Sequence, residues 1–525
     1  MSYFDLILIF LAIPLLVVVY QIMPKKIRPI LLLLASYGFF FYVSKWRIIF
    51  LIISSLSIYL TGLYMSKQNN LLEKELEKTK EDKKVIKEKY KKNNKRILLL
   101  TLFINIAILF AFKYLRFFTI NTNHILDWLN VGYNIKLYKY AAPIGISFYT
   151  LQALSYILDV YNKKIEASKN IIEVFLYLSF FPTIMEGPIT RFFEVKEYLL
   201  SGEKVHYNNF CFGYQRILYG FFKKYVIADR LNIVVKTVFD NYSNYGSFTI
   251  FFAAVAYTIL LYCEFSGTMD VVIGIGEIFN IKIPENFRQP FFSKNISDFW
   301  SRWHISLGHW FKDFIFYPVS LSKPCKKINT SIRSKIKGRL GPLVVGGIAL
   351  FCVWSLNGLW HGAGWTFIFY GMYHFTLILL GNIFEPIIAD KCTKLKINRE
   401  SKTYIVLRIV KTWFFIFIGE LFFRVETLTK GFAMLKRMFS FKGLTHNELL
   451  HLGLDLKDYI ILFLAIIFIF IIGILKEKNI NIREKISEKH IIVRWLAYYC
   501  LIFSIIIFGA YGTGYEPVDP IYADF

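Results

Sequence analysis

One imidazole stands where an ionisable side chain is costly: His361, inside the apolar run Trp354 to Tyr370, WSLNGLWHGAGWTFIFY. An ionisable residue at membrane depth costs about 2.5 to 3.5 kcal/mol on insertion scales, so it is by default a candidate for function. Histidine also exchanges protons near neutral pH, as acid–base chemistry requires. Asn357 stands one helical turn before it on the same face, placed to orient the ring or to hold a substrate carbonyl, and Gly358 and Gly362 permit close backbone approach beside it. A second histidine, His304, lies in the semi-polar run Asn286 to Tyr317. Taken alone, the residues leave both histidines open between a structural and a chemical role.

Position separates the other seven. His124, His206, His446, His451 and His490 fall in polar or basic loops and read as surface residues. His309 follows His304 by five residues, about 140° around an ideal helix, so the two do not share a face. His374 sits in an apolar span and reads as a satisfied core histidine. There is no HExxH, no GxxxxGK[ST] loop and no GxSxG elbow, which removes the commonest metallohydrolase, ATPase and serine-hydrolase readings. The six cysteines are scattered without CxxC or zinc spacing, so no metal site is expected. Acid–base chemistry by histidine, or transport, remains.

These residues must be positioned by a membrane bundle. The chain has 525 residues, of which 55% are hydrophobic, above the roughly 45–50% of soluble domains. Apolar segments of about 20 residues, long enough for a hydrocarbon core of about 30 Å, recur from Phe4 to Ala510. The expected fold class is all-α: a polytopic helical bundle of about eleven to thirteen membrane segments forming one integral membrane domain over 1–525. Tyr3 to Met23 has no basic residue before it and no small-residue cleavage site, so it is expected to be a retained helix and not a signal peptide. The net charge of +26 lies in short clusters between apolar spans, which points to positive-inside loops and away from nucleic acid. Lys25, Lys26 and Arg28 place the first loop in the cytoplasm and the N-terminus outside. Residues 67–96 carry twelve Lys and Arg against six Asp and Glu, with apolar residues at loosely helical spacing. They read as a charged cytoplasmic helical extension.

Two segments break the simple pattern. YAAPIGISFYTLQALSYILDV (140–160) and FLYLSFFPTIMEGPITRFF (175–193) carry Pro and Gly inside apolar runs rich in hydroxyl, amide and charged groups. Such backbone survives at membrane depth only when buried in protein or lining a cavity. Glu264, Asp270 and Glu277 cannot all face lipid, so they are expected to pair with Arg and Lys or to line a vestibule. Asn286 to Tyr317, with Phe299, Trp300, Trp303, Trp310, Phe311 and Phe314 near helical spacing, predicts one re-entrant or interfacial amphipathic helix carrying His304.

FWSRWHISLGHWFKDF and NGLWHGAGWTFIFYGMYH, together with PIGISFYTLQALSYILDVY, FFPTIMEGPITRF, LFFRVETLTKG and PIYADF, resemble the membrane-bound O-acyltransferase family in its bacterial alginate O-acetyltransferase membrane-protein branch. The resemblance implies a tunnel through the bundle, with His361 of WHGA as the catalytic histidine and His304 of RWHISL as its companion. It further implies an acetyl group drawn from cytoplasmic acetyl-CoA, no permanently bound cofactor, and a hydroxyl acceptor on an extracytoplasmic polysaccharide. An SGNH-hydrolase-like protein outside the cell membrane is the implied partner. A neutral histidine would remove the acceptor proton, Asn357 would donate to the oxyanion, and Trp303 and Trp360, with Trp300, Trp354 and Trp365, would wall the substrate from water. Two rivals stand beside this reading: D-alanyl transfer to teichoic acid from a carrier-protein thioester, and, from another class, a channel or transporter.

Overall fold

Apolar runs in a bilayer must satisfy their backbone groups internally, and a helix does so within each run. The computed structural model describes residues 3–78, 83–138, 140–336, 338–440 and 446–511, and among them the regular structure is helical throughout, with a single isolated bridge between Phe287 and Trp303. The chain is an all-α polytopic membrane protein. Among the described residues seven stretches are long and apolar enough to cross a bilayer, fewer than the segments expected, and part of the difference has a local cause. The expected crossings at 30–42 and 46–64 fall in one 50-residue stretch, Arg28–Glu77. There α1 (Arg28–Ser44) and α2 (Ile48–Lys78) are joined by a single 3-10 turn, with Lys45 at φ 53°. The expected crossing at 175–193 is cut by its own Pro and Gly into the end of a nine-residue helix, a four-residue helix and an irregular segment.

The described residues form two compact units. The first comprises 3–213 and Val272–Pro284. In it α2 packs on α3 (Lys83–Leu109), and both pack on α4 (Ile146–Tyr161). The charged stretch 67–96 is helical up to Lys78 and from Lys83 onward, and 79–82 lie outside the described residues. Tyr90 Oη donates to Glu75 at 2.6 Å and Asn94 to Asn69 at 3.2 Å, so polar side chains tie α2 to α3 beyond their apolar halves. Gly145 opens α4 at φ +67°, where an added Cβ would lie 1.7 Å from the Ile184 carbonyl oxygen. That close approach explains the Pro-Ile-Gly break. The polar residues of α4 meet protein, as expected: Gln152 donates to Thr190 at 3.0 Å, and Asp159 takes a bidentate contact from Arg191 at 2.6 and 3.1 Å.

The chain enters the second unit (214–271 and 285–511 of the described residues) within α5 (Tyr207–Phe221) and shares α6 (Ser247–Ile278) between the two. Here the two buried carboxylates of α6 are paired: Glu264 with Lys224 at 3.2 Å, and Asp270 with Lys223 at 2.7 Å and Arg216 at 3.0 Å. Lys223 and Lys224 lie in the π-helical turn Phe222–Ala228 that continues α5. The unit is completed by α7 (Ile296–Arg302), α8 (Ile305–Phe311), α9 (Leu340–His361), α10 (Trp365–Lys394), α11 (Lys402–Arg424), α12 (Leu456–Glu477) and α13 (Ile491–Phe508).

Candidate active site

In the second unit α9 packs against α10, and two glycines permit a close approach. A Cβ on Gly358 would lie 2.5 Å from the Phe367 carbonyl oxygen, and one on Gly371 would lie 2.3 Å from that of Trp354. The close approach brings the C-terminal turn of α9 against the first turns of α10. His361 is the last helical residue of α9 and only 3% exposed. Its ring meets Trp360 at 5.0 Å, Phe423 at 5.2 Å and Tyr370 at 6.0 Å between centroids.

His304 arrives by a different route. The expected single helix over 286–317 is not formed: it is broken at His304, which stands between α7 and α8 in the left-handed region, φ 50° and ψ 51°. Asn286, on the preceding loop, imposes the break. Its carbonyl accepts from the Ile305 N–H at 3.0 Å, and its side-chain oxygen accepts from the Ser306 N–H at 3.0 Å and from Ser306 Oγ at 2.9 Å. These bonds cap the start of α8 and turn His304 inward, where it is 2% exposed. A non-glycine residue held at positive φ is a strained position of the kind that clusters at functional sites. Burial pushes the His304 imidazole down to about 3, so it is neutral at physiological pH.

Trp360 joins the two histidines. Its indole lies 5.4 Å from the His304 ring and 5.0 Å from the His361 ring, while Phe265 of α6 backs His304 at 5.0 Å. The two histidines, far apart in sequence, thus flank one aromatic plate. Asn357 is buried beside them at 7% exposure. It does not orient His361, since it makes no hydrogen bond to that ring, and its side-chain oxygen has no partner among the described residues.

The other expected wall residues divide. Trp303 turns away from both histidines into a cluster with Phe287 at 5.0 Å, Phe299 at 5.3 Å and Tyr262 at 6.1 Å, where it supports the turn. Trp365 is 57% exposed and forms no part of an enclosure. Trp300 and Trp354 pack together at 4.9 Å behind the histidines. Trp300 Nε1 donates to His374 Nδ1 at 3.2 Å, so His374 is satisfied on one side only, and its Nε2 has no partner among the described residues. Tyr370, whose ring touches both His361 and His374, donates its hydroxyl to Glu420 Oε1 at 3.0 Å. Sequence reasoning passed over Glu420, although a lone carboxylate in the run FFIFIGELFF was signal enough. The candidate site therefore combines two buried histidines, a buried amide oxygen without a partner among the described residues, and aromatic rings packed around them.

The chain is similar to known proteins over most of its length. The model of the membrane-bound O-acyltransferase family matches residues 98–332, which include His304. The probable alginate O-acetylase AlgI of Azotobacter vinelandii is 30% identical over 470 residues, covering 89% of this chain and 83% of the relative. The peptidoglycan O-acetyltransferase of Helicobacter pylori is 28% identical over 393 residues, covering 69% of this chain and 68% of its own. The teichoic acid D-alanyltransferase of Bacillus subtilis is 32% identical over 281 residues, 53% of this chain and 67% of that protein. With identity extending over most of the chain and two buried histidines flanking one indole in a helical membrane unit, this protein belongs to the membrane-bound O-acyltransferase family and is an O-acyltransferase.

Proposed function

We propose that the chain transfers acetyl from cytoplasmic acetyl-CoA to a hydroxyl acceptor at the extracytoplasmic face, for O-acetylation of a cell-surface or secreted polysaccharide. The observation that carries this reading is the His304–Trp360–His361 arrangement, supported by relatives named for O-acetylation of alginate and peptidoglycan. His361 takes the acceptor proton as the hydroxyl oxygen attacks the thioester carbonyl. The carbon–oxygen bond forms, the oxyanion is held by the Asn357 amide N–H, and collapse expels the thiolate, which recovers the proton. His304, neutral and turned inward, orients the acceptor or relays the proton. Trp360 closes the space against water, which would otherwise hydrolyse the thioester. Trp303 acts through the His304 turn. No permanently bound cofactor is needed, because the thioester is already activated.

In this reading the protein lies in the cell membrane with its N-terminus outside and the basic loops in the cytoplasm, where the donor is. Final delivery to the polymer is made with an SGNH-hydrolase-like protein outside. The test is His361→Ala at wild-type membrane abundance, with polymer-bound acetyl measured by mass spectrometry. Loss of acetyl is expected, and unchanged acetyl content would refute the mechanism. Two D-alanyltransferase relatives keep a second donor in view, a carrier-protein thioester. Ester-linked D-alanine in place of acetyl on the cell-surface polymer would select it. Solute flux that persists in the His361→Ala protein without any acylation would instead point to a transporter.

A further inference from the structure

A cavity of about 1200 Å³ lies in the second unit, larger than the about 300–1,000 Å³ of ordinary small-molecule sites. Two of its walls are the membrane-spanning helices α12 and α13, both of which rest on the π-helical turn Phe222–Ala228, and α5 adds Gln215, Arg216 and Tyr219. The space between α12 and α13 is therefore at bilayer depth. Its surface is mostly apolar, with Phe468 and Ile472 of α12 and Ala497 and Leu501 of α13 in the lining beside Tyr498 and Ser504. The end nearest the loop joining the two helices is different in kind: Arg216, Arg288, Arg302, Lys476 and Arg483 line it, with three carboxylates.

Those carboxylates are already engaged. Asp270 holds Arg216 and Lys223, Glu285 holds Arg216 at 2.6 Å, and Glu477 holds Arg302 at 2.5 Å. Lys476 and Arg288 line the cavity without a carboxylate in ion-pair range among the described residues, and Lys476 stands 5.5 Å over the Tyr219 ring. The cavity thus offers two unneutralised cations at one end and a long apolar body held open to the bilayer between two spans. Neither His304, His361, Asn357 nor Trp360 lines it, although Arg302 and Ile305 on either side of His304 do.

We infer that this cavity is a binding site for an anionic phospholipid, with the phosphate at Lys476 and Arg288 and the acyl chains between α12 and α13. Charge and polarity together select this occupant. Basic clusters at the end of a span attract anionic headgroups, and burying an apolar chain in the body removes its walls from unfavourable contact, whereas coenzyme A is polar along its length and would leave them uncovered. A zwitterionic lipid would bring the same phosphate but also a quaternary ammonium beside both cations, so it adds no net negative charge there.

Native mass spectrometry of the full chain, released from mixed detergent micelles containing phosphatidylglycerol and phosphatidylcholine of identical chains, tests the site. Wild type is expected to retain phosphatidylglycerol at least five-fold over phosphatidylcholine. R288Q/K476Q is expected to lower that preference to near one, while A497W, which fills the body but leaves both cations, is expected to lower retention of phosphatidylglycerol at least five-fold. Equal retention of the two lipids by wild type would overturn the inference without recourse to any variant. So would an unchanged preference in R288Q/K476Q, unchanged retention in A497W, or displacement of bound phosphatidylglycerol by acetyl-CoA, which would assign the cations to the thioester donor.

Discussion

Two buried polar regions of the second unit are built on opposite rules. In the charged belt around α6, Asp270 is matched by Arg216 and Lys223, and Glu264 by Lys224, all within 3.2 Å. Around His304 and His361, polar groups are instead enclosed by rings, and Asn357, His374 and Glu420 each keep a buried atom with no partner among the described residues. Leaving a buried polar atom unpaired costs about 1–3 kcal/mol. The belt sets charge against charge, whereas on the proposed function the open atoms of the histidine region are the ones a substrate would meet.

The contrast is broken most directly by removing the base. His361→Ala is expected to lower the acyl-transfer rate of the purified protein about 10²- to 10⁴-fold, the usual worth of a general base, with little change in thermal midpoint. A large midpoint shift with near-normal turnover of the folded fraction would place His361 with the structural residues. The belt should behave in the reverse sense. Asp270→Asn leaves Lys223 buried without its counter-charge and is expected to destabilise by about 3–5 kcal/mol, read from detergent-solubilised thermal unfolding, while the surviving protein keeps its turnover number.

Next in size, Asn357→Ala is expected to lower kcat about 10²- to 10³-fold with KM little changed, as for loss of an oxyanion donor. A rise in KM at constant kcat would make it a substrate-positioning amide only. Smallest is Trp300→Phe, which removes the bond to His374 and should cost about 0.5–1.5 kcal/mol of stability. If it instead abolished turnover at normal stability, the functional region would extend to His374.

Much of this was legible in advance. An imidazole in an apolar run, a second one in RWHISL and three carboxylates in one span each violate the membrane pattern, and each violation marks a real feature. Pro182 and Gly187 announced a broken span for the same reason. The division of the tryptophans was not legible. Trp303 and Trp360 each stand immediately before a histidine, and adjacency says nothing of direction when backbone torsions change between neighbours. The positive φ at His304 throws Trp303 and His304 to different sides, whereas the regular end of α9 holds Trp360 between the two imidazoles.

The sequence by itself determined the environment and the chemistry: apolar runs of spanning length force helices, and an ionisable group within them is retained only for a purpose. Tertiary structure alone decided the partnerships. Asn286 breaks the helix at His304 from a loop eighteen residues earlier, the glycines of α9 and α10 set how closely His361 approaches Tyr370, and α12 and α13 leave a cavity because both rest on one π-helical turn. None of these is a property of local spacing. Each depends on which surfaces meet once hydrogen bonds and side-chain volumes are satisfied together.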